Sequence, residues 1–170
     1  YFSANYLKCV HPVHGLVSLT LAPFQQRLIQ AYENERFVVF TKFRQGAFTT
    51  ITQGYCLWKA MFREDQRIMT LAKTDREAVY IGDITHRFIE NLPDWMQPKT
   101  SKNNDHQIHF DYTDSKMYWY QPEASRGKAL SLLVIDEADF IPKMESHWRA
   151  MWPVLSTGGN CIAYSTRACV

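Results

Sequence analysis

Two carboxylates, Asp136 and Glu137, come directly after a continuous apolar run in this chain. The run comprises Leu132 to Ile135, with Leu130 just before Ser131. A short uninterrupted apolar run is typical of a strand that is buried on both faces of a parallel sheet. Ligands of such sheets bind beyond the carboxyl ends of the strands. An Asp followed by a Glu at that edge suits a nucleotide–Mg²⁺ site, where the first carboxylate holds the metal and the second polarises a water molecule for attack on the γ-phosphate.

Taken alone, the same two acids also fit a simpler interpretation. Carboxylates at a strand end can cap the helix that follows, with no ligand involved. A nucleotide–Mg²⁺ site would also need a nearby element that binds the phosphates.

The segment from Lys42 to Thr50, KFRQGAFTT, is the candidate for that second element. A standard phosphate-binding loop is GxxxxGK[ST], in which glycines let backbone N–H groups surround the phosphates and Lys reaches their oxygens. Here Gly46 is the one glycine, Ala47 stands where the last glycine is usual, and Phe48 stands where the lysine is usual. The segment therefore departs from the standard loop at its two most informative positions.

Two basic residues of the segment offer compensation. Lys42 lies at the predicted strand end and could reach the phosphates from the other side, while Arg44 could add a bidentate contact. Thr49 and Thr50 open the next predicted helix, whose positive N-terminal end is available for phosphate. The alternative is a degenerate loop that binds nothing.

Alternating helices and strands surround these segments and predict a three-layer α/β domain with a mostly parallel central sheet. The long helix after Thr74 has this residue as its N-cap and ends before Pro93. The predicted helices are Leu21–Asn34, Thr49–Phe62, Thr74–Asn91 and Pro142–Trp152. The predicted strands are Arg36–Thr41, Arg67–Lys73, the apolar run before Asp136, Asn160–Ser165, and a hairpin of Gln107–Tyr112 and Lys116–Gln121. We expect Arg36–Thr41 to be a buried strand and Lys99–Asp105 to be a polar loop.

The composition is that of an ordinary globular domain. The chain has 170 residues, a net charge of +2, and 46% hydrophobic residues. No apolar run approaches the length of a membrane span, and the small net charge indicates no strong basic field for nucleic acid. The four cysteines form no CxxC pair, so reduced thiols are the simplest interpretation.

Several motifs, in order and at sensible spacings, resemble the ATPase domain of the large terminase subunit of tailed bacteriophages. The motifs are Phe24–Gln25, KFRQGAFTT, ENLPDWMQP from Glu90 to Pro98, SRGKALSLLVIDEADFIP, WPVLSTGG, and a strand that ends at Ser165–Thr166. They cover nearly the whole chain. The resemblance implies a P-loop NTPase fold of the RecA/ASCE type.

The resemblance also implies a function. That family hydrolyses ATP with Mg²⁺ to drive double-stranded DNA into a viral capsid, so ATP, Mg²⁺ and double-stranded DNA are the expected ligands. A portal protein and a small terminase subunit are the expected partners, and the host cell cytoplasm is the expected location, without a membrane. We expect residues 1–170 to be one ATPase domain, without the family's nuclease domain, monomeric alone and ring-forming when assembled.

The roles of nucleotide-binding residues follow from the resemblance. Gln25 matches the glutamine that reads adenine, with Phe24 nearby. Arg44 and Gln45 match the RQ of the phosphate loop, which continues through Gly46, Ala47, Phe48 and Thr50. Some members of the family carry the loop lysine at the first position, as Lys42 does here, and an aromatic or aliphatic residue where lysine is usual. Ala47 departs even from that version.

The roles in chemistry follow in the same way. Thr49 and Asp136 match the residues associated with Mg²⁺, and Glu137 matches the catalytic glutamate. Lys42, Arg44 and Arg126 match basic residues that act on the nucleotide, the last either in cis or from a neighbouring subunit. Ser165 and Thr166 match the motif that couples hydrolysis to movement.

Two other functions stay open. Asp136 to Asp139 spells DEAD and Gln25 resembles a helicase Q motif, so a DEAD-type helicase fragment is one alternative. The other is a nucleotide-binding module that has lost turnover, which the missing GK pair favours.

Overall fold

The computed structural model of the chain describes residues 1–11, 13–124 and 129–166. Five helices and nine strands have the following bounds in these ranges: α1 Phe2–Tyr6, β1 Lys8–His11, β2 Gly15–Ser18, α2 Pro23–Asn34, β3 Phe37–Lys42, α3 Phe48–Phe62, β4 Arg67–Leu71, α4 Asp75–Glu90, β5 Thr100–Asn104, β6 Gln107–Phe110, β7 Ser115–Tyr120, β8 Leu132–Asp136, α5 Met144–Met151 and β9 Asn160–Thr166.

Seven strands form the central sheet in the order β3-β9-β8-β4-β7-β6-β5. The first five strands in this order are parallel to one another. The pairings of β6 with β7 and of β5 with β6 are antiparallel. The predicted class, an α/β domain with a mostly parallel sheet, is therefore confirmed.

Two separate apolar cores lie on the two faces of this sheet, which makes the domain three-layered. Alternate residues of β8 show the division, because Leu132 and Val134 join the core beneath α2, α3 and α4. Leu133 and Ile135 join the core beneath α5. All five residues of β8 are buried, as the continuous apolar run predicts for a central parallel strand.

The structure corrects two predictions. β3 is not a buried strand: it lies at the edge of the sheet, where Val39 is 78% exposed, because β3 pairs only with β9 in the described part of the chain. The predicted polar loop Lys99–Asp105 contains strand β5, which forms the opposite edge of the sheet. No apolar pattern identifies β5 as a strand, because its side chains are exposed to solvent on both faces of the sheet edge.

Three strand ends meet at one edge of the sheet and position the candidate site. In the register between β3 and β9, Lys42 lies opposite Thr166. Between β8 and β9, Asp136 lies opposite Tyr164. The carboxyl ends of β3, β8 and β9 are therefore neighbours, and α3 begins beside them.

No helix in the described ranges is both long enough and apolar enough to cross a membrane.

Candidate nucleotide-binding site

Lys42, Thr49 and the two carboxylates form a compact cluster at this edge. The Lys42 ammonium lies 2.8 Å from Asp136 Oδ1 and 3.2 Å from Glu137 Oε1. The Thr49 hydroxyl donates to Asp136 Oδ2 over 2.7 Å. The side chains of Lys42 and Asp136 are only 8% and 9% exposed, so solvent weakens their attraction little.

Glu137 is held in place by the end of β9. Its Oε2 accepts the Thr166 backbone N–H at 2.7 Å, the Thr166 hydroxyl at 3.0 Å and the Ser165 hydroxyl at 3.2 Å. Partial burial alone would raise the pKa of Glu137, but the Thr166 N–H and the Lys42 charge more than offset it and lower this pKa. Glu137 is therefore a carboxylate with one fixed oxygen, and the other oxygen faces Lys42.

The alternative in which these acids cap a helix does not describe the geometry. The short turn that follows Glu137 receives no side-chain cap from it, and α5 begins only at Met144. Both carboxylates bind Lys42 instead.

The loop between β3 and α3 turns through two left-handed residues. Gln45 has φ 63° and Ala47 has φ 54°, and neither is a glycine. Gly46 serves a different purpose, because a Cβ there would overlap the Phe48 ring. The loop thus uses its glycine for space and tolerates strain of about 1 kcal/mol at Ala47.

Phe48 packs into an aromatic cluster at the start of α3. Its ring is 7% exposed and lies 5.2 Å from the ring of Phe43, 5.6 Å from Phe40 and 6.0 Å from Phe24. The position that usually carries lysine therefore anchors the start of α3. The positive charge is supplied by Lys42, from the strand.

Gln25 connects helix α2 to the loop. Its side-chain Oε1 accepts the Ala22 N–H at 2.9 Å, and its Nε2 donates to the Gly46 carbonyl at 3.0 Å. The residue is 9% exposed, and the two hydrogen bonds hold the loop against the start of α2.

A cavity of about 280 Å³ lies between the loop and the strand ends. Loop residues 42–50 line one side, Glu137 and Thr166 line another, and Tyr80 and Ile84 of α4 complete it. The first N–H groups of a helix lack intrahelical partners, and no side chain in the described part of the chain caps α3. This helix end, with its positive partial charge, is available to an anion.

A divalent cation fits the oxygen donors present. The Thr49 hydroxyl and the Asp136 carboxylate are adjacent, and Mg²⁺ favours one or two protein oxygens with water and substrate phosphates as its other ligands. No three His, Cys, Asp or Glu side chains of the described residues converge as a complete metal centre. The donor set therefore suits a metal that arrives with phosphate.

The structure brings together six of the residues singled out from the sequence: Lys42, Thr49, Asp136, Glu137, Ser165 and Thr166. Arg44 and Gln45 are exposed on the cavity wall. Arg126 lies outside the described residues. Sequence reasoning missed Tyr80 and Ile84, because nothing local in α4 indicates which of its faces meets the loop.

No family model matches the chain. Among solved structures, the large terminase of bacteriophage HK97 superposes with a TM-score of 0.76 at 17% identity, covering 98% of this chain and 36% of that one. The large terminase ATPase domain of Thermus phage P74-26 gives 0.62 at 20% identity, covering 84% and 64%. A Saccharomyces cerevisiae dbp5 complex that contains ADP gives 0.63 at 13% identity, covering 88% and 43%.

These neighbours share the fold of the chain, a mostly parallel sheet between helices of the P-loop NTPase type. The chain spans less than two thirds of the length of each of the three. At identities of 20% and below, the likeness concerns the fold; function must be argued from the site.

Proposed function

We propose that this chain is the ATPase domain of a phage large terminase subunit, a motor that hydrolyses ATP to move double-stranded DNA into a capsid. One observation carries the proposal: Lys42, Thr49, Asp136 and Glu137 converge at the strand ends beside an uncapped helix N-terminus. The order of the sequence motifs and the likeness to two terminase structures support it.

The phosphates of ATP would bind at the start of α3. Backbone N–H groups of the first turn, the Lys42 ammonium and the exposed Arg44 guanidinium supply positive charge around the cavity. Gln25, with Phe24 beside it, would contact the adenine. The ADP in the dbp5 structure is consistent with nucleotide binding in this fold.

Thr49 and Asp136 would hold Mg²⁺. When bound, the ion would offset negative charge on the β- and γ-phosphate oxygens. The two side chains already touch, so the oxygen donors need little rearrangement.

Lys42 would change partners when the nucleotide binds. Its ammonium now neutralises Asp136 and Glu137, and the triphosphate would draw it toward the transferring phosphoryl group. There it would stabilise charge that develops in the transition state, which is where such catalysis gains most.

That movement would also prepare Glu137. Its Oε2 stays bound to Ser165 and Thr166, while its Oε1 loses the lysine and is free to accept a hydrogen bond from the attacking water. Because the pKa of Glu137 is lowered, the group is ionised at neutral pH and can orient that water.

Ser165 and Thr166 would then report the state of the phosphate. They contact the carboxylate that faces the cavity, so loss of the γ-phosphate would reach the end of β9 through Glu137. In the assembled motor, Arg126 would act on the nucleotide in cis or from a neighbouring subunit of a ring. A portal protein and a small terminase subunit would be the partners, in the host cytoplasm.

A DEAD-type helicase fragment is the second candidate, favoured by the dbp5 likeness and the DEAD sequence of residues 136–139. Strand separation of a DNA or RNA duplex would identify it, whereas a packaging motor is stimulated by intact double-stranded DNA. Binding of ATP with no hydrolysis at any protein concentration would indicate a module without turnover.

The proposed chemistry predicts the behaviour of Glu137→Gln. The amide keeps the shape but cannot orient water as an anion, so hydrolysis should fall by about 100-fold or more. ATP affinity, measured by calorimetry, should stay within about threefold of the original.

The matched control is Glu64→Gln, at an exposed acid outside the site. Hydrolysis should be followed at several protein concentrations with double-stranded DNA, because an arginine from a neighbour requires assembly. Unchanged turnover in Glu137→Gln would refute the assignment.

A further inference from the structure

Tyr164 lies directly beneath the cluster and has no role in the chemistry described so far. It belongs to β9 and is 1% exposed. The Lys42 ammonium lies 4.6 Å from the centroid of its ring. This contact arises because Lys42 pairs with Thr166, two residues further along β9, and a long side chain can reach its diagonal neighbour.

The hydroxyl of Tyr164 does not explain why a tyrosine is buried here. In the described ranges this oxygen makes no hydrogen bond of normal geometry, although the Thr52 hydroxyl lies near enough to act on its pKa. Burial, with the charge of Asp136 adding to it, raises the pKa of Tyr164 well above its usual range, so the ring is neutral. A buried hydroxyl without a well-formed hydrogen bond contributes little to stability, whereas the ring makes a defined contact with the Lys42 ammonium.

The ring face suits the unusual origin of the lysine. An ammonium over an aromatic face is attracted by the ring's quadrupole, most strongly where water is excluded, as it is around these two side chains. That attraction takes up no acceptor of the two carboxylates. It can therefore hold the ammonium near the cavity while its N–H donors change from carboxylate to phosphate.

We propose that Tyr164 is a positioning residue for Lys42, and that it acts through its aromatic ring. The ring compensates for the departure of the lysine from the loop, since a lysine on β3 lacks the surrounding backbone that a loop would provide. This inference rests on the proposed function for its effect on ATP, but the contact itself exists without nucleotide.

The first test needs no nucleotide. In the full chain with labelled lysine, the ε-methylene signal of Lys42, identified by its loss in Lys42→Ala, should be shifted upfield by the ring. Tyr164→Phe should keep this shift and Tyr164→Leu should abolish it. Tyr32→Leu, at another 1% exposed tyrosine of the same core, should leave it unchanged. A Lys42 signal that is the same in Tyr164→Leu and the original chain would overturn the proposal.

The second test is a double-mutant cycle on Mg·ATP binding. Tyr164→Leu should weaken binding by about tenfold, and Tyr164→Phe should restore it. In a Lys42→Ala background the leucine should have no further effect, because the ring acts through the lysine. An equal loss in both backgrounds would make Tyr164 an ordinary core residue. If the original chain binds no ATP, the proposed function fails, and the lysine signal alone decides this inference.

Discussion

Helices α3 and α4 both begin at the carboxyl edge of the sheet, yet their first turns are built in opposite ways. At α4, the Thr74 hydroxyl accepts the Glu77 N–H at 3.3 Å and the Glu77 carboxylate accepts the Thr74 N–H at 3.1 Å. Asp75 adds a second acid. At α3, the N-cap is Ala47, with no capping side chain in the described residues and no acid in the first turn. The first turn of α4 is capped by its own side chains, whereas no side chain of the described residues caps α3.

Under the proposed function, helix stabilisation and phosphate binding belong to two different helix starts at one edge of the sheet. The acids of α4 stabilise its positive end and would repel phosphate. The start of α3 gives up that stabilisation and is anchored by Phe48 in its aromatic cluster. Charge at this end is provided by Lys42, which enters from the neighbouring strand.

Removing the charge of Lys42 should have a greater effect than any other substitution at these two helix starts. Lys42→Ala removes the cation between two carboxylates, so the free energy of unfolding should drop by about 3 kcal/mol and hydrolysis should fall by about 100-fold or more. Lys73→Ala, at the exposed residue that follows β4 and precedes the α4 cap, should change stability by no more than about 0.5 kcal/mol. Urea unfolding and ATP turnover measure the two effects.

The pH dependence of the stability difference between Lys42→Ala and the original chain provides a control. A carboxyl whose pKa is lowered in the folded state stabilises above its ordinary pKa, and this contribution disappears as the pH falls through the folded value. The pKa of Glu137 is lowered from an ordinary value of 4.5, so the stability gap between Lys42→Ala and the original chain should narrow below about pH 4.5. Equal losses in the two lysine variants would contradict the compensating role of Lys42.

The charges at this edge illustrate what the sequence could and could not predict. The strand before Asp136, the capped start of α4 and the shared edge all follow from local patterns, so Lys42, Thr49 and Asp136 could be placed near one another. The sequence could not reveal that Lys42 bridges both carboxylates. That contact joins residues 94 positions apart, and it depends on the register of β3 against β9.

The misses have a common physical cause at the edges of the sheet. An edge strand pairs with a neighbour on one side only, so the hydrophobicity of its side chains does not indicate where in the sheet it lies. β5 is polar on both faces and resembled a loop, while β3 is apolar and resembled a buried strand although Val39 is exposed. Local sequence indicates strand formation better than it indicates position in the sheet.

Two threonine variants compare the roles of the hydroxyl groups at the starts of α4 and α3. Thr74→Ala removes the cap of α4 and should lower stability by about 1 kcal/mol, with Mg·ATP affinity unchanged. Thr49→Ala removes a hydrogen bond to the charged Asp136 and should lower stability by about 1.5–3 kcal/mol. It should also weaken Mg·ATP binding by about tenfold. Calorimetry with and without Mg²⁺ measures the Mg·ATP affinity of both variants. Weaker Mg·ATP binding in Thr74→Ala would contradict the proposed difference between the two helix starts.

A backbone change at the start of α3 should alter stability only modestly. Ala47 has φ 54° and is exposed, so Ala47→Gly should relieve strain and raise the free energy of unfolding by about 0.5–1 kcal/mol. Gly15→Ala is the reverse control, because Gly15 has φ 67° and a Cβ at this position would meet no other atom of the described residues within 4 Å. The free energy of unfolding of Gly15→Ala should fall by a similar amount.

Thr74, with φ −130°, carries no such strain, and Thr74→Gly should only weaken a cap. Thermal unfolding of the three variants therefore distinguishes a strained helix start from a capped one. If Ala47→Gly were less stable than the original chain, the added freedom of glycine in the unfolded state would outweigh the strain. The start of α3 would then depend on its aromatic anchor without a measurable backbone cost.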